Sequence, residues 1–96
     1  MNQQHSYHRL FYHLVFTVKH REPIIRTTAD ETEIFGYLKK KASEIDAYLE
    51  ELGAWYEHVH MLLRCGTTKP LAQLYRQLKG FTSRAWNLKH PDRRLQ

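Results

Sequence analysis

One cysteine, three prolines and four glycines are spread through 96 residues. A lone Cys65 cannot close an internal disulfide, and the usual zinc spacing needs a second cysteine; the residue reads as a small buried hydrophobe. So few helix breakers leave no linker, repeat or low-complexity stretch, and a single compact domain over residues 1–96 is expected. Long apolar runs are also missing. Leu10–Phe16 and Met61–Leu63 are interrupted or fall far short of the roughly 20 residues that span a bilayer, so no membrane partner is expected. The start, Met1-Asn2-Gln3-Gln4-His5, has neither the basic residues nor the apolar stretch of a secretory signal. These absences point to a cytoplasmic protein.

Acidic residues are scarce at both ends. Residues 1–29 hold four basic and one acidic side chain, residues 30–57 three and eight, and residues 58–96 eight and one, for a net charge of +5. If the two basic stretches meet in the fold they form a patch for a polyanion, since each phosphate neutralised by Lys or Arg releases counterions. A solvated surface accounts for the same charges.

The hydrophobic pattern supplies the elements. Leu10–Val18 is rich in aromatic and β-branched side chains and reads as a strand, stopped before Pro23. Thr28-Ala29-Asp30-Glu31 forms a capping-box pattern that starts a helix at Thr28. Ile34, Phe35, Leu38, Ala42 and Ile45 then follow helical spacing. Leu49 and Leu52 continue that period, so spacing alone carries the helix to Leu52, before Gly53. His58–Cys65 reads as a second strand. A second amphipathic helix, Pro70–Leu88, is marked by Leu71, Leu74, Leu78, Phe81, Ala85 and Trp86 and is entered through Thr68 or Lys69. Strand, helix, strand, helix predicts helices packed on one face of a small sheet.

His58-Val59-His60 is the group with the clearest chemistry. Strand side chains alternate, so the two imidazoles share a face about 6.5 to 7 Å apart along the backbone while Val59 turns to the core. Such a pair can chelate one metal ion, although a divalent ion that activates phosphate normally takes a third protein ligand. Two partly exposed histidines that happen to be in phase would give the same pattern. His5, His8, His13 and His90 lack a partner at ligand spacing.

The blocks Tyr12–Arg21, Glu57–Leu63 and Gln77–Arg84, in this order, resemble the single-tyrosine HUH transposases of small bacterial insertion sequences and the related REP-associated tyrosine transposases. The resemblance implies an α+β, ferredoxin-like sandwich: an antiparallel sheet with two helices on one face, its last strand and catalytic helix lying beyond this chain. It moves the end of the first helix back to residues 43–45 and places a strand at residues 47–54, turning near Trp55 and Tyr56. His58 and His60 would hold Mg²⁺ or Mn²⁺, with Glu57 at a position usually acidic in the family. The activity implied is binding of single-stranded or hairpin DNA, with metal-dependent cleavage and rejoining through a phosphotyrosine.

The family's tyrosine lies after a further strand, and none of the six tyrosines here takes its place; the catalytic residue is unassigned, and the chain reads as a C-terminally truncated domain. Tyr75 alone lies on a helix after the histidines, where Leu74 and Leu78 favour packing; Tyr12 and Tyr56 are expected in or beside the sheet. Candidate DNA contacts are Lys19, His20, Arg21, Arg76, Lys79, Gly80, Ser83 and Arg84. Trp86 and Phe81 fall at core spacing. A homodimer is a further expectation. The alternative is a non-catalytic nucleic-acid-binding module whose sheet offers aromatics to RNA or DNA.

Overall fold

A computed structural model describes residues 10–65 and 69–95, with the side chains of all of these except Leu10 and Cys65. The expectations for His5, His8, Thr68 and the Cys65 thiol therefore lie outside the described residues. The elements run β1 (Leu10–Thr17), a short 3-10 turn (Lys19–Arg21), α1 (Thr28–Glu44), β2 (Ala47–Trp55), β3 (His58–Cys65) and α2 (Leu71–Lys89). All pairings are antiparallel in the order β1-β3-β2, so the histidine strand is central.

Alternation splits the sheet into two faces. Val59, Met61 and Leu63 are fully buried, joined by Phe16 of β1 and by Leu49, Leu52 and Ala54 of β2. Ile34, Leu38 and Ala42 of α1 and Leu74, Leu78 and Trp86 of α2 complete the same core. The opposite face carries Phe11, His13, Val15, Thr17, His58, His60 and Trp55. This is the expected two-layer α+β sandwich.

The first helix stops at Glu44, not Leu52, as the family resemblance implied and spacing alone did not. Asp46 takes a left-handed φ of 59°, which ends the helix and turns the chain into β2. A bulge between Leu49 and Glu51 then shifts the register, leaving Leu49 opposite Leu63 and Leu52 opposite Met61. Both leucines thus reach the core although they are three residues apart.

The cap of α1 is displaced by one residue from the sequence reading. Thr27 is the N-cap: its Oγ1 accepts from the Asp30 amide at 3.0 Å, and Asp30 Oδ2 accepts from the Thr27 amide at 3.2 Å. Asp30 wins over Glu31 because its carboxylate also meets Arg93 Nη1 at 2.9 Å and the Arg26 amide at 2.9 Å. At α2, Pro70 itself occupies the N-cap and the helix extends to Lys89. Beyond it the chain folds back: Trp86 Nε1 donates to the Arg93 carbonyl at 2.6 Å, Asn87 and Leu95 exchange two hydrogen bonds, and Leu95 is fully buried.

Candidate metal and nucleic-acid site

His58 and His60 stand side by side on the open face, ring centroids 6.1 Å apart. A nitrogen–metal bond of about 2.1 Å puts each centroid about 3.2 Å from the ion, so two imidazoles on one ion have centroids roughly 4.5 to 6.5 Å apart. The observed separation lies inside that span.

Each ring is held through Nδ1. Glu57 Oε1 lies 3.0 Å from His58 Nδ1, and an Nδ1–H donating to this carboxylate leaves Nε2 as the lone-pair nitrogen. His60 Nδ1 lies 3.5 Å from His13 Nε2, the two rings meeting edge to face at 5.5 Å. His60 Nε2 overhangs Gly53, its cross-strand neighbour on β2. A Cβ on Gly53 would come within 2.6 Å of both Nε2 and Cε1 of His60, so only glycine leaves this edge of the ring room. Two Nε2 atoms on one face, each ring pinned at its far nitrogen, suit a divalent ion. Among the described residues no set of three His, Cys, Asp or Glu side chains is poised to enclose one, so water or substrate oxygens would complete its shell.

His13 and Gly53 escaped the sequence reading. Their signal lies in strand register: His13 sits diagonally from His60 across β1 and β3, and Gly53 sits opposite it across β3 and β2.

The other candidates separate into two places. Lys19, His20 and Arg21 are exposed on the turn after β1, where His20 and Arg21 take left-handed φ values of 62° and 56°. Such strained backbone clusters at functional sites. The Val18 amide donates to the Glu57 carbonyl at 2.8 Å, tying this turn to the histidine end of the sheet. Arg76, Lys79, Gly80, Ser83 and Arg84 instead share one groove of about 820 Å³ on α2, with Arg94 joining them from the folded-back tail. A Cβ on Gly80 would meet nothing within 4 Å, so this glycine serves no close packing and leaves the groove floor open. Ser83 Oγ is buried without a hydrogen-bond partner.

Among the described residues, the tyrosines do not converge on the histidines. Tyr75 donates to the Val15 carbonyl at 3.3 Å and rests edge-on against Phe16; burial raises its pKa. Tyr37 donates to Glu33 at 2.6 Å, and burial together with that carboxylate pushes its pKa up to about 12. Tyr12 packs against the core as expected, whereas Tyr56, expected beside the sheet, is 61% exposed at the turn between β2 and β3. Trp86 is fully buried, and Phe81 lies edge-on to Tyr37. His90 is structural: its Nε2 is 2.9 Å from Glu33 Oε1 and its ring lies against Trp86, centroids 3.9 Å apart.

Comparison with known proteins bears on the family and the fold. The family model described as "Transposase IS200 like" matches residues 6–96. No curated protein matches the chain. Among solved structures, a crystal structure from Deinococcus radiodurans R1, assigned there as a candidate transposase, superposes with a TM-score of 0.81 at 23% identity. The match covers 86% of this chain and 63% of the other, so the present chain spans less than two thirds of that protein's length.

Proposed function

Because the chain belongs to the family of IS200-like transposases, we propose that it binds single-stranded or hairpin DNA and presents a divalent ion, Mg²⁺ or Mn²⁺, to a phosphate of that DNA through His58 and His60. The observation that carries this reading is the histidine pair on one face of the sheet, with both Nδ1 atoms engaged and the His60 ring seated over Gly53. When bound, the ion supplies a Lewis acid beside a phosphate oxygen. Glu57 and His13 hold the two rings in place, and Gly53, lacking a Cβ, lets the His60 ring lie in its position over β2. Arg76, Lys79, Arg84 and Arg94 neutralise the sugar-phosphate backbone along α2, whereas the buried Ser83 hydroxyl is not presented to the strand. Lys19, His20 and Arg21 add charge at the other end of the bound strand.

Cleavage and rejoining through a phosphotyrosine are part of the proposed activity of the family domain, with the nucleophile assigned to none of the described tyrosines. The 96-residue chain alone is expected to bind DNA without forming a covalent adduct on a denaturing gel. A homodimer of the chain would present two such histidine pairs.

Fluorescence anisotropy with a labelled hairpin oligonucleotide, titrated across salt, tests the DNA half of this reading. Each phosphate contact contributes a slope of about −0.7 in log K against log salt on a single strand, so a groove of four cations gives roughly −3. Arg76→Ala with Arg84→Ala should flatten the slope by about 1.4. A salt-independent affinity would defeat the proposal. Salt-sensitive binding without any Mn²⁺ uptake would instead favour the non-catalytic module.

A further inference from the structure

The outer end of the β2–β3 hairpin carries two large aromatics that the core does not use. Trp55 and Tyr56 are 60% and 61% exposed, although side chains of this kind gain most from burial. Trp55 closes β2 opposite His58, and its ring lies 21° from the plane of His58, centroids 6.3 Å apart. The same residue borders a cleft of about 290 Å³ between the hairpin and the first turn of α1, walled by Ile25, Arg26, Thr28 and Glu31. Glu31 has been relieved of the capping role by Asp30, so its carboxylate is left to this wall. With Arg26 and Glu31 the wall carries one charge of each sign beside the Thr28 hydroxyl, so it offers both donors and acceptors to the polar edge of a base. Outside the cleft, Lys19 and Arg21 stand exposed on the turn that Val18 ties to Glu57. Aromatic surface, a polar wall and cations beside it together match one unpaired nucleotide.

We propose that an unpaired nucleobase of single-stranded DNA stacks on Trp55 at the mouth of this cleft, immediately beside the phosphate facing His58 and His60. The proposal rests on the DNA-binding reading above and names its base subsite. Trp55 is a positioning residue here: it fixes which phosphate of a flexible strand faces the histidines. Stacking of this kind accepts any base, because every base has a π face.

The molecule supplies its own control, because its other tryptophan, Trp86, is fully buried. Tryptophan emission is followed while the intact chain is titrated with an unlabelled single-stranded oligonucleotide, and anisotropy with a labelled copy gives the affinity. The expected result is quenching of the long-wavelength component, abolished in Trp55→Phe. Affinity should fall about tenfold or more in Trp55→Ala and be largely retained in Trp55→Phe. Tyr48→Ala, which removes a comparably exposed aromatic from the far end of β2, should bind as the wild type does. Circular dichroism of each variant separates lost stacking from lost fold. Equal affinity of Trp55→Ala and wild type, with tryptophan emission unchanged on binding, would overturn the base subsite and leave the DNA-binding reading standing. Absence of any DNA binding in the wild type would remove that reading itself.

Discussion

His60 is constrained from three sides: by β3 beneath it, by His13 at Nδ1 and by the bare Cα of Gly53 under its Nε2 edge. Its neighbour His58 needs less, since Glu57 is adjacent in the chain and fixes the ring locally. The difference makes Gly53 the sensitive position. Gly53→Ala should keep the fold, because alanine suits a strand at least as well as glycine. The methyl must push the His60 ring aside, and Mn²⁺ affinity by calorimetry should fall at least about tenfold, as second-shell losses typically do. Unchanged affinity would mean that the His60 edge over Gly53 is not where the ion binds. The sequence showed the phase of His58 and His60 because alternation along one strand is local. It hid His13 and Gly53 because their places depend on how three strands separated in the chain align.

At the scale of elements, β1, β3 and both helices were readable from periodicity and composition, while β2 was not. Leu49 and Leu52 are three residues apart, a helical interval, and in a regular strand they would face opposite sides. The bulge at Glu50 returns both to the core, so an irregularity in the ladder imitates a helix in the sequence. The start of α1 was misread by one residue: the expected capping box joined Thr28 to Glu31, whereas the observed one joins Thr27 to Asp30. Tertiary pairing chose between them: Arg93, near the far end of the chain, reaches Asp30. Thermal melts can show the choice directly. Thr27→Ala should destabilise the protein by about 1 kcal/mol, and Thr28→Ala by only a few tenths. The reverse order would restore the cap expected from the sequence.

Over the whole molecule, the acidic middle and basic ends of the chain resolve into distinct tasks. Part of the basic end is structural: Arg93 is spent on Asp30 and the Ile24 carbonyl, pinning the tail against α1. Burial pushes the Asp30 carboxyl up, but the bonds from Arg93, Arg26 and Thr27 outweigh it and hold the pKa at about 2, against an ordinary 3.8. A lowered carboxyl pKa contributes stability that is complete above about pH 4 and is lost as pH falls toward 2, here about 2 kcal/mol. In denaturant titrations Asp30→Asn should therefore be less stable than wild type near pH 6, with the gap narrowing below about pH 3. A gap that stays constant with pH would show that the pair with Arg93 does not set this stability.

Arg76, Lys79, Arg84 and Arg94 gather along α2 and Lys19 and Arg21 on the turn after β1, while the open face of the sheet carries the proposed metal pair and, opposite His58, the exposed Trp55. That arrangement stands or falls with the ion. Paramagnetic broadening of amide resonances at substoichiometric Mn²⁺ locates it without reference to catalysis. The account predicts that His58, His60, Gly53 and His13 broaden first, and that His58→Ala with His60→Ala abolishes the effect. Broadening centred elsewhere, or unchanged in the double variant, would contradict it.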